Sequence, residues 1–146
     1  MHDIIHPNRR LFLSLSLMAS PVLMATPLAA ATEVSRAKDL LERAVTLYRR
    51  RGDAALPAFQ RTGHFTQAGL YVYVLGSNGV LKASGGPSEV FIGQDVRNHR
   101  DREGMAYIAA ILEQAQANNS LSLNYRWINS RTGQPETKTV HFRRVG

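Results

Sequence analysis

Three side chains near the C-terminus have types and spacing suited to binding a small anion. Tyr125 and Trp127 are two residues apart in one β-rich segment, and Lys138 follows in a second. Because side chains alternate across a strand, Tyr125 and Trp127 share a face. An ammonium group beside two aromatic rings, one with a hydroxyl and one with an indole N–H, suits a carboxylate, since apolar walls exclude water while a few donors fix orientation. These residues predict a binding site for a small organic ligand, and we expect that ligand to be anionic.

The position of Lys138 depends on the register of a hairpin. We take residues 129–136 as the connecting loop, which predicts three cross-strand pairs: Ile128 with Thr137, Trp127 with Lys138, and Tyr125 with Val140. A slip by one residue moves Lys138 to the other face of the sheet. The alternative interpretation is that Tyr125 and Trp127 are core residues and that Lys138 extends past them to solvent.

The helices that support this hairpin are predicted from apolar periodicity. Residues 33–51 form one long amphipathic helix, with apolar positions at steps of three and four, namely Val34, Ala37, Leu41, Ala44, Val45 and Tyr48. Gly52 ends it, and Asp53 caps a short second helix over residues 54–61, where Pro57 is tolerated near the first turn. Asp101 caps a third helix, whose apolar face contains Met105, Ile108, Ala109, Leu112 and Ala115.

The strands are predicted from apolar runs and turn residues. Residues 70–75 are apolar or aromatic at nearly every position, which predicts a strand covered on both faces. Asn78-Gly79 lies in a strong hairpin turn that leads to a returning strand. Further predicted segments are the return at 80–83, a loop at 84–88, a brief strand or edge segment at 90–92, and a second hairpin from 121–128 and 137–145. Hairpins imply an antiparallel sheet, so the fold class is α+β, with the long helix packed on the sheet.

Residues 1–31 have the order of charged, apolar and small residues that is typical of a signal peptide. Arg9 and Arg10 precede a largely apolar stretch at 11–24, and Ala31 ends a small-residue cleavage site. Serines and a proline interrupt the stretch, which makes it too polar for a stable membrane span, although an uncleaved anchor is an alternative. The paired arginines fit general secretion or the twin-arginine route. We therefore expect a periplasmic or secreted single domain over residues 32–146.

Composition excludes several functions for this domain. Without residues 1–31, which hold two arginines and one aspartate, the 18 basic and 11 acidic residues of the chain leave a net charge of +6 over 115 residues. The only dense basic run, Arg49-Arg50-Arg51, lies where a helix should end and complements its dipole. No aromatic residue is interleaved with that run as a base-stacking platform needs, so we expect no nucleic-acid partner. The absence of cysteine excludes disulfides, thiolate metal sites and cysteine nucleophiles.

The remaining polar residues do not predict a metal, a cofactor or catalysis. His64, His99 and His141 lie far apart without a metal-ligand spacing, and neither a haem-attachment motif nor a phosphate-binding glycine motif occurs. One alternative is a small envelope isomerase or hydrolase that uses Asp95, Asp101 or His99 as its single acid–base residue. No second group converges on any of these in the sequence. We therefore expect a protein that is not an enzyme.

A series of short motifs also runs through the chain in a recognisable order. It consists of Leu70-Tyr71-Val72-Tyr73-Val74, the turn Asn78-Gly79, Ile92-Gly93, Asp101-x-x-Gly104, and the hairpin Tyr125-x-Trp127…Lys138. With the long helix before it, this series resembles single Cache domains, which are extracytoplasmic, PAS-like modules that bind small molecules. The likeness covers nearly all of residues 32–146.

The resemblance implies a pocket enclosed by the sheet, the loop after the first hairpin and the third helix. Its ligand-binding residues are then Tyr125, Trp127 and Lys138, with walls from Tyr71, Tyr73, Phe91 and Tyr107. Two departures fall near that pocket and leave the ligand's identity open. His141 stands where relatives often have tyrosine, and the loop at 82–87 lacks a His-Pro pair.

The resemblance further implies a role in sensing. Because no kinase, methyl-accepting or cyclase module follows the domain, we expect a signal to pass through a partner such as a membrane receptor or a kinase. The long N-terminal helix offers a surface for a homodimer. A structural or partner-binding periplasmic protein is the third alternative.

Overall fold

The computed structural model describes residues 11–17, 27–61, 63–118, 120–129 and 132–146, in which helices pack on both faces of one antiparallel sheet. The strands are β1 Leu11–Leu17, β2 Thr66–Gln67, β3 Leu70–Gly76, β4 Leu81–Ser84, β5 Ser120–Ile128 and β6 Pro135–Val145. The helices are α1 Pro27–Arg51, α2 Leu56–Gln60 and α3 Tyr107–Ala117, with 3₁₀ helices at Gly52–Ala55 and Pro87–Phe91. The fold class is α+β, as the sequence predicts.

The sheet has the order β2-β3-β1-β6-β5, and β4 pairs with β3. β1 is antiparallel to β3 on one side and to β6 on the other, so β3 and β6 run parallel to each other with β1 between them. This strand lies in the apolar stretch of the predicted signal peptide, and α1 begins at Pro27, before the proposed cleavage point after Ala31. The division at residue 31 stays a prediction, and Arg9 and Arg10 lie outside the described residues.

The core divides into two clusters because β3 is covered on both faces. Leu70, Val72 and Val74 pack in one cluster with α1, whose buried residues include Ala37, Leu41, Ala44, Val45 and Tyr48. The alternate β3 residues Tyr71, Tyr73 and Leu75 pack in the other cluster with α3. The prediction of a doubly covered strand is confirmed. The apolar face of α1 is used within the chain, and dimerisation through this helix stays a prediction.

Local turn chemistry sets the first hairpin and the end of α1. Gly79 has a φ of +80°, and the turn closes through Gly76 N–H to the Val80 carbonyl at 2.8 Å. Asp53 does not cap the second helix as predicted, because its carboxylate accepts from the Tyr48 hydroxyl at 2.7 Å and from Lys82 Nζ at 3.3 Å. The chain passes instead through a 3₁₀ turn, and α2 begins at Leu56.

Two further predictions are wrong in the region between β4 and β5. Residues 90–92 are not a strand, since Pro87 opens a 3₁₀ helix that ends at Phe91. Asp101 does not cap the third helix, which begins at Tyr107 after Ala106. Among the described residues, none of the helices combines the length and apolar content that crossing a membrane requires.

Candidate functional site

The β5–β6 hairpin has a register two residues away from the predicted one. Tyr125 lies opposite Lys138 and Trp127 lies opposite Glu136, because the loop is shorter than predicted. That loop closes through Asn129 N–H to the Gln134 carbonyl at 2.9 Å. A shift of two residues restores the same face, because side chains alternate with a period of two. The predicted pairs are therefore wrong, and the predicted face of Lys138 is right.

One cavity, of about 70 Å³, lies between the sheet, α3 and the 3₁₀ helix Pro87–Phe91. All seven residues predicted from the sequence line it, namely Tyr71, Tyr73, Phe91, Tyr107, Tyr125, Trp127 and Lys138. The sequence reasoning missed six others: Leu81, Pro87, Ser88, Val96, His99 and Ile108. Pro87 and Ser88 lie in the loop that the resemblance places at the pocket, so their positions could have been predicted. Nothing near His99 in the sequence points to the cavity. The structure brings the predicted residues together, and their contact with a ligand stays a prediction.

Aromatic packing holds the cavity wall in place. The rings of Tyr107 and Tyr125 are stacked, with centroids 4.3 Å apart and planes 5° apart. Trp127 meets both edge-on at 6.2 Å, so strand β5 and helix α3 are fixed to each other by three rings. Burial raises the pKa of Tyr107 to about 12, with smaller electrostatic contributions from Tyr71 and Asp101. Its phenol therefore stays neutral at physiological pH.

Lys138 brings a buried cation into this aromatic wall. Its side chain is only 2% exposed, and Nζ lies 4.9 Å from the Trp127 ring centroid and 5.9 Å from that of Tyr71. None of the ion pairs among the described residues includes Lys138. Burial lowers the pKa of Lys138 to about 8, against an opposing effect of the Glu136 carboxylate. At neutral pH the cavity therefore contains an ammonium group that, among the described residues, is compensated by aromatic faces and by the neighbouring Glu136 carboxylate.

Asp101 fixes the strand that carries the aromatic wall. Its carboxylate accepts from the Arg126 N–H at 2.8 Å and from the backbone N–H groups of Glu103 and Met105 at 2.9 and 2.8 Å. Burial acts to raise the pKa of Asp101, but these backbone donors outweigh it and hold the pKa below its ordinary value. Because Arg126 lies between Tyr125 and Trp127, this contact orients both cavity rings. Asp101 itself does not line the cavity.

The 3₁₀ helix covers the cavity through a close contact at Gly86. A β-carbon at Gly86 would lie 2.5 Å from the ring of Tyr71, so only glycine lets the chain pass this closely. The Ser84 and Ser88 hydroxyls are 2.7 Å apart, and Ser84 Oγ accepts from the Gly86 N–H at 3.2 Å. These contacts position Ser88 and Phe91 over the cavity.

The residues proposed for acid–base chemistry are dispersed. Asp95 is tied to Arg97, whose hydrogen bonds lower the pKa of Asp95 to about 2, and Asp101 is occupied by backbone N–H groups. Of the three candidates only His99 lines the cavity, where its ring meets Phe91 edge-on at 4.6 Å. In the part of the chain that the structure describes, no three His, Cys, Asp or Glu side chains cluster as metal ligands.

A sheet with helices on both faces and an aromatic cavity containing one buried cation defines a PAS-like, small-ligand-binding module. The chain belongs to the single Cache domain 2 family, which matches residues 54–145. Cache domains are extracytoplasmic sensor domains that bind ligands and are typically non-enzymatic.

The fold also matches a solved structure. A methyl-accepting chemotaxis protein from Vibrio parahaemolyticus RIMD 2210633 superposes with a TM-score of 0.60 over 80% of this chain and 89% of that chain, at 14% sequence identity. At this identity the match supports the fold alone. No curated protein matches the chain in sequence.

Proposed function

We propose that this protein is an exported sensor domain whose aromatic cavity binds a small carboxylate through Lys138. The observation that carries the proposal is the buried ammonium of Lys138, which has no salt-bridge partner among the described residues. A buried charge is costly unless it is paired, and a ligand carboxylate would supply the missing charge. The rings of Trp127 and Tyr125 would then contact the apolar part of the ligand.

The size of the cavity limits the ligand. A water-sized group needs roughly 10–15 Å³ of such space, so with β1 in place a cavity of about 70 Å³ takes roughly five to seven non-hydrogen atoms. Carboxylates of two to four carbons have about that size. Organic cations are disfavoured, because Lys138 already occupies the face of Trp127 that a ligand cation would use.

The test is a thermal-shift screen of two- to four-carbon carboxylates, with the matching neutral amides and the matching amines as comparisons. At about 100 times its dissociation constant a carboxylate should stabilise the fold by about 2.7 kcal/mol, which is several degrees for a domain of this size. The amide and the amine should have little effect, because neither pairs with an ammonium group.

Two variants assign the response to the cavity. Lys138→Met should abolish the stabilisation by the carboxylate, whereas Lys82→Met should retain it, because Lys82 pairs with Asp53 and does not line the cavity. An unchanged response in Lys138→Met would show that the ligand binds elsewhere. Chemical conversion of the carboxylate by the purified protein would place it among enzymes, and His99 would then be the first residue to replace.

We further propose that residues 1–31 direct export and that a membrane receptor or kinase reads the ligand-bound state. Membership of the single Cache domain family, whose members are sensor domains, supports a partner that reads the bound state. The mass of the protein recovered from the cell envelope tests the first proposal, since cleavage after Ala31 leaves a chain of 115 residues. Crosslinking in intact cells with and without the carboxylate tests the second, which requires a ligand-dependent product.

A further inference from the structure

A second cavity, of about 550 Å³, opens on the face of the sheet opposite the aromatic site. It lies between α1 and the segment that follows α2. Arg43, Arg50, Arg61 and His64 line it, and Leu47 and the buried Phe65 add apolar surface. We name this cavity the arginine groove. It differs from the aromatic site in size and in charge, because it has several guanidinium groups and the aromatic site has one ammonium group.

The charges of the arginine groove are not balanced within the described residues. Its one carboxylate, Glu42, accepts from Arg143 Nη1 at 2.9 Å and is already neutralised. The ion pairs among the described residues include neither Arg50 nor Arg61. Both side chains are exposed at the groove and keep their donors available for an anion.

One arginine is held in position before any ligand arrives. Arg43 Nη2 donates to the carbonyl of His64 at 2.8 Å, and the guanidinium carbon lies 5.5 Å from the centroid of the Phe65 ring. Side chains that are already ordered lose less conformational entropy when they bind a ligand. The groove therefore combines one ordered guanidinium, two with unused donors and an apolar surface.

We propose that the arginine groove binds a phosphate group attached to an apolar body, supplied by a free organic phosphate or by a phospholipid headgroup. Guanidinium groups bind phosphate oxygens through paired N–H donors, and several of them around one groove suit a multiply charged anion better than a monocarboxylate. Leu47 and Phe65 would contact the apolar body. The dipole of α1 gives a structural reason for Arg50 in its last turn, but Arg43 and Arg61 lie outside that turn.

The experiment uses the full chain and three probes: inorganic phosphate, phenyl phosphate, and vesicles with or without an anionic phospholipid. Arg50→Ala and Arg61→Ala are the test variants. Arg49→Ala and Arg51→Ala are matched controls, because they remove the same charge from the same region without lining the groove. Titration calorimetry measures the phosphates, and co-sedimentation measures the vesicles.

We expect phenyl phosphate to bind more tightly than inorganic phosphate, and each test variant to weaken it about tenfold while the controls stay within about twofold. A different outcome is that the protein binds anionic vesicles, with the same dependence on Arg50 and Arg61, and does not bind phenyl phosphate. That result supports the arginine groove as a phosphate site and identifies a phospholipid headgroup as the source of the phosphate. Equal losses in test and control variants would overturn the proposal, since diffuse charge would then explain binding. No binding of any probe also overturns it. None of these outcomes depends on Lys138, so the two proposals fail separately.

Discussion

Replacing Lys138 by methionine should stabilise the ligand-free protein, although it removes the residue on which binding depends. Methionine keeps a long, unbranched side chain in the same space and removes the charge. Lys138 is 2% exposed and lies among aromatic rings, so its ammonium group has lost most of its hydration. Replacing a buried ion by an apolar residue of similar volume is often stabilising for this reason.

The pKa of Lys138 gives the magnitude. Burial lowers it from 10.5 to about 8, and this difference corresponds to about 3 kcal/mol of lost stability at neutral pH. The cation–π contacts of Lys138 with Trp127 and Tyr71 offset about 0.5–2 kcal/mol of this lost stability. Lys138→Met should therefore gain about 1–3 kcal/mol, which raises the melting temperature by several degrees.

The pH dependence distinguishes this cause from better packing. Because the folded pKa lies below the unfolded one, the unfolded chain binds the extra proton between pH 8 and 10.5, and wild-type stability gains from this group as the pH rises through that window. The advantage of Lys138→Met should thus be full below pH 8 and shrink towards pH 10.5. Chemical denaturation at pH 7 and pH 10, with Lys82→Met as control, measures it. Two results would refute the reasoning: a Lys138→Met protein that is less stable than wild type at pH 7, or a stability difference that is the same at pH 7 and pH 10.

Two other substitutions test what positions the cavity. Asp101→Ala should destabilise by about 1–3 kcal/mol in urea denaturation, because it leaves three part-buried backbone N–H groups without their charged acceptor. Since the folded pKa of Asp101 is depressed, its contribution is present above the ordinary pKa and is lost as the pH falls through the folded value, so the variant should converge on wild type in acid. Gly86→Ala should displace the ring of Tyr71 and weaken carboxylate binding, while Gly93→Ala, which has open space and a φ of +89°, should cost about 1 kcal/mol and leave binding intact. Equal affinities in the two glycine variants would argue against the close contact at Gly86.

The sequence predicts the parts of this fold that depend on periodicity. The long helix α1 and the doubly covered strand β3 follow from apolar spacing, because burial of one helical stripe or of both strand faces leaves a repeating pattern. The face of the sheet on which Lys138 lies is also predictable, since only a register shift by an odd number of residues would change it. Its partner across the strand is not, because a difference of two residues in the loop changes the pair without changing the pattern.

Contacts between residues far apart in the chain cannot be predicted from local sequence patterns. Asp101 precedes a helix and has the residue type of a cap, yet it bonds to the backbone of Arg126, 25 positions later. Nothing local distinguishes these two roles. By contrast, the alternation of leucine and serine over residues 13–17 is a period-two signal typical of a strand, although the same serines also fit an interrupted apolar leader.

Because β1 lies in the middle of the sheet, its removal by cleavage after Ala31 would change the shape of the binding site. A protein that has lost this strand exposes a row of unpaired backbone groups along β3 and another along β6. Because the two strands run parallel, they can pair directly, and closing the gap moves them nearer by about the width of one strand, ~4.8 Å. Tyr71 and Tyr73 lie on one side of that gap and Lys138 on the other. If cleavage after Ala31 removes β1, the chains with and without residues 1–31 should therefore differ in the size of the ligand that they accept.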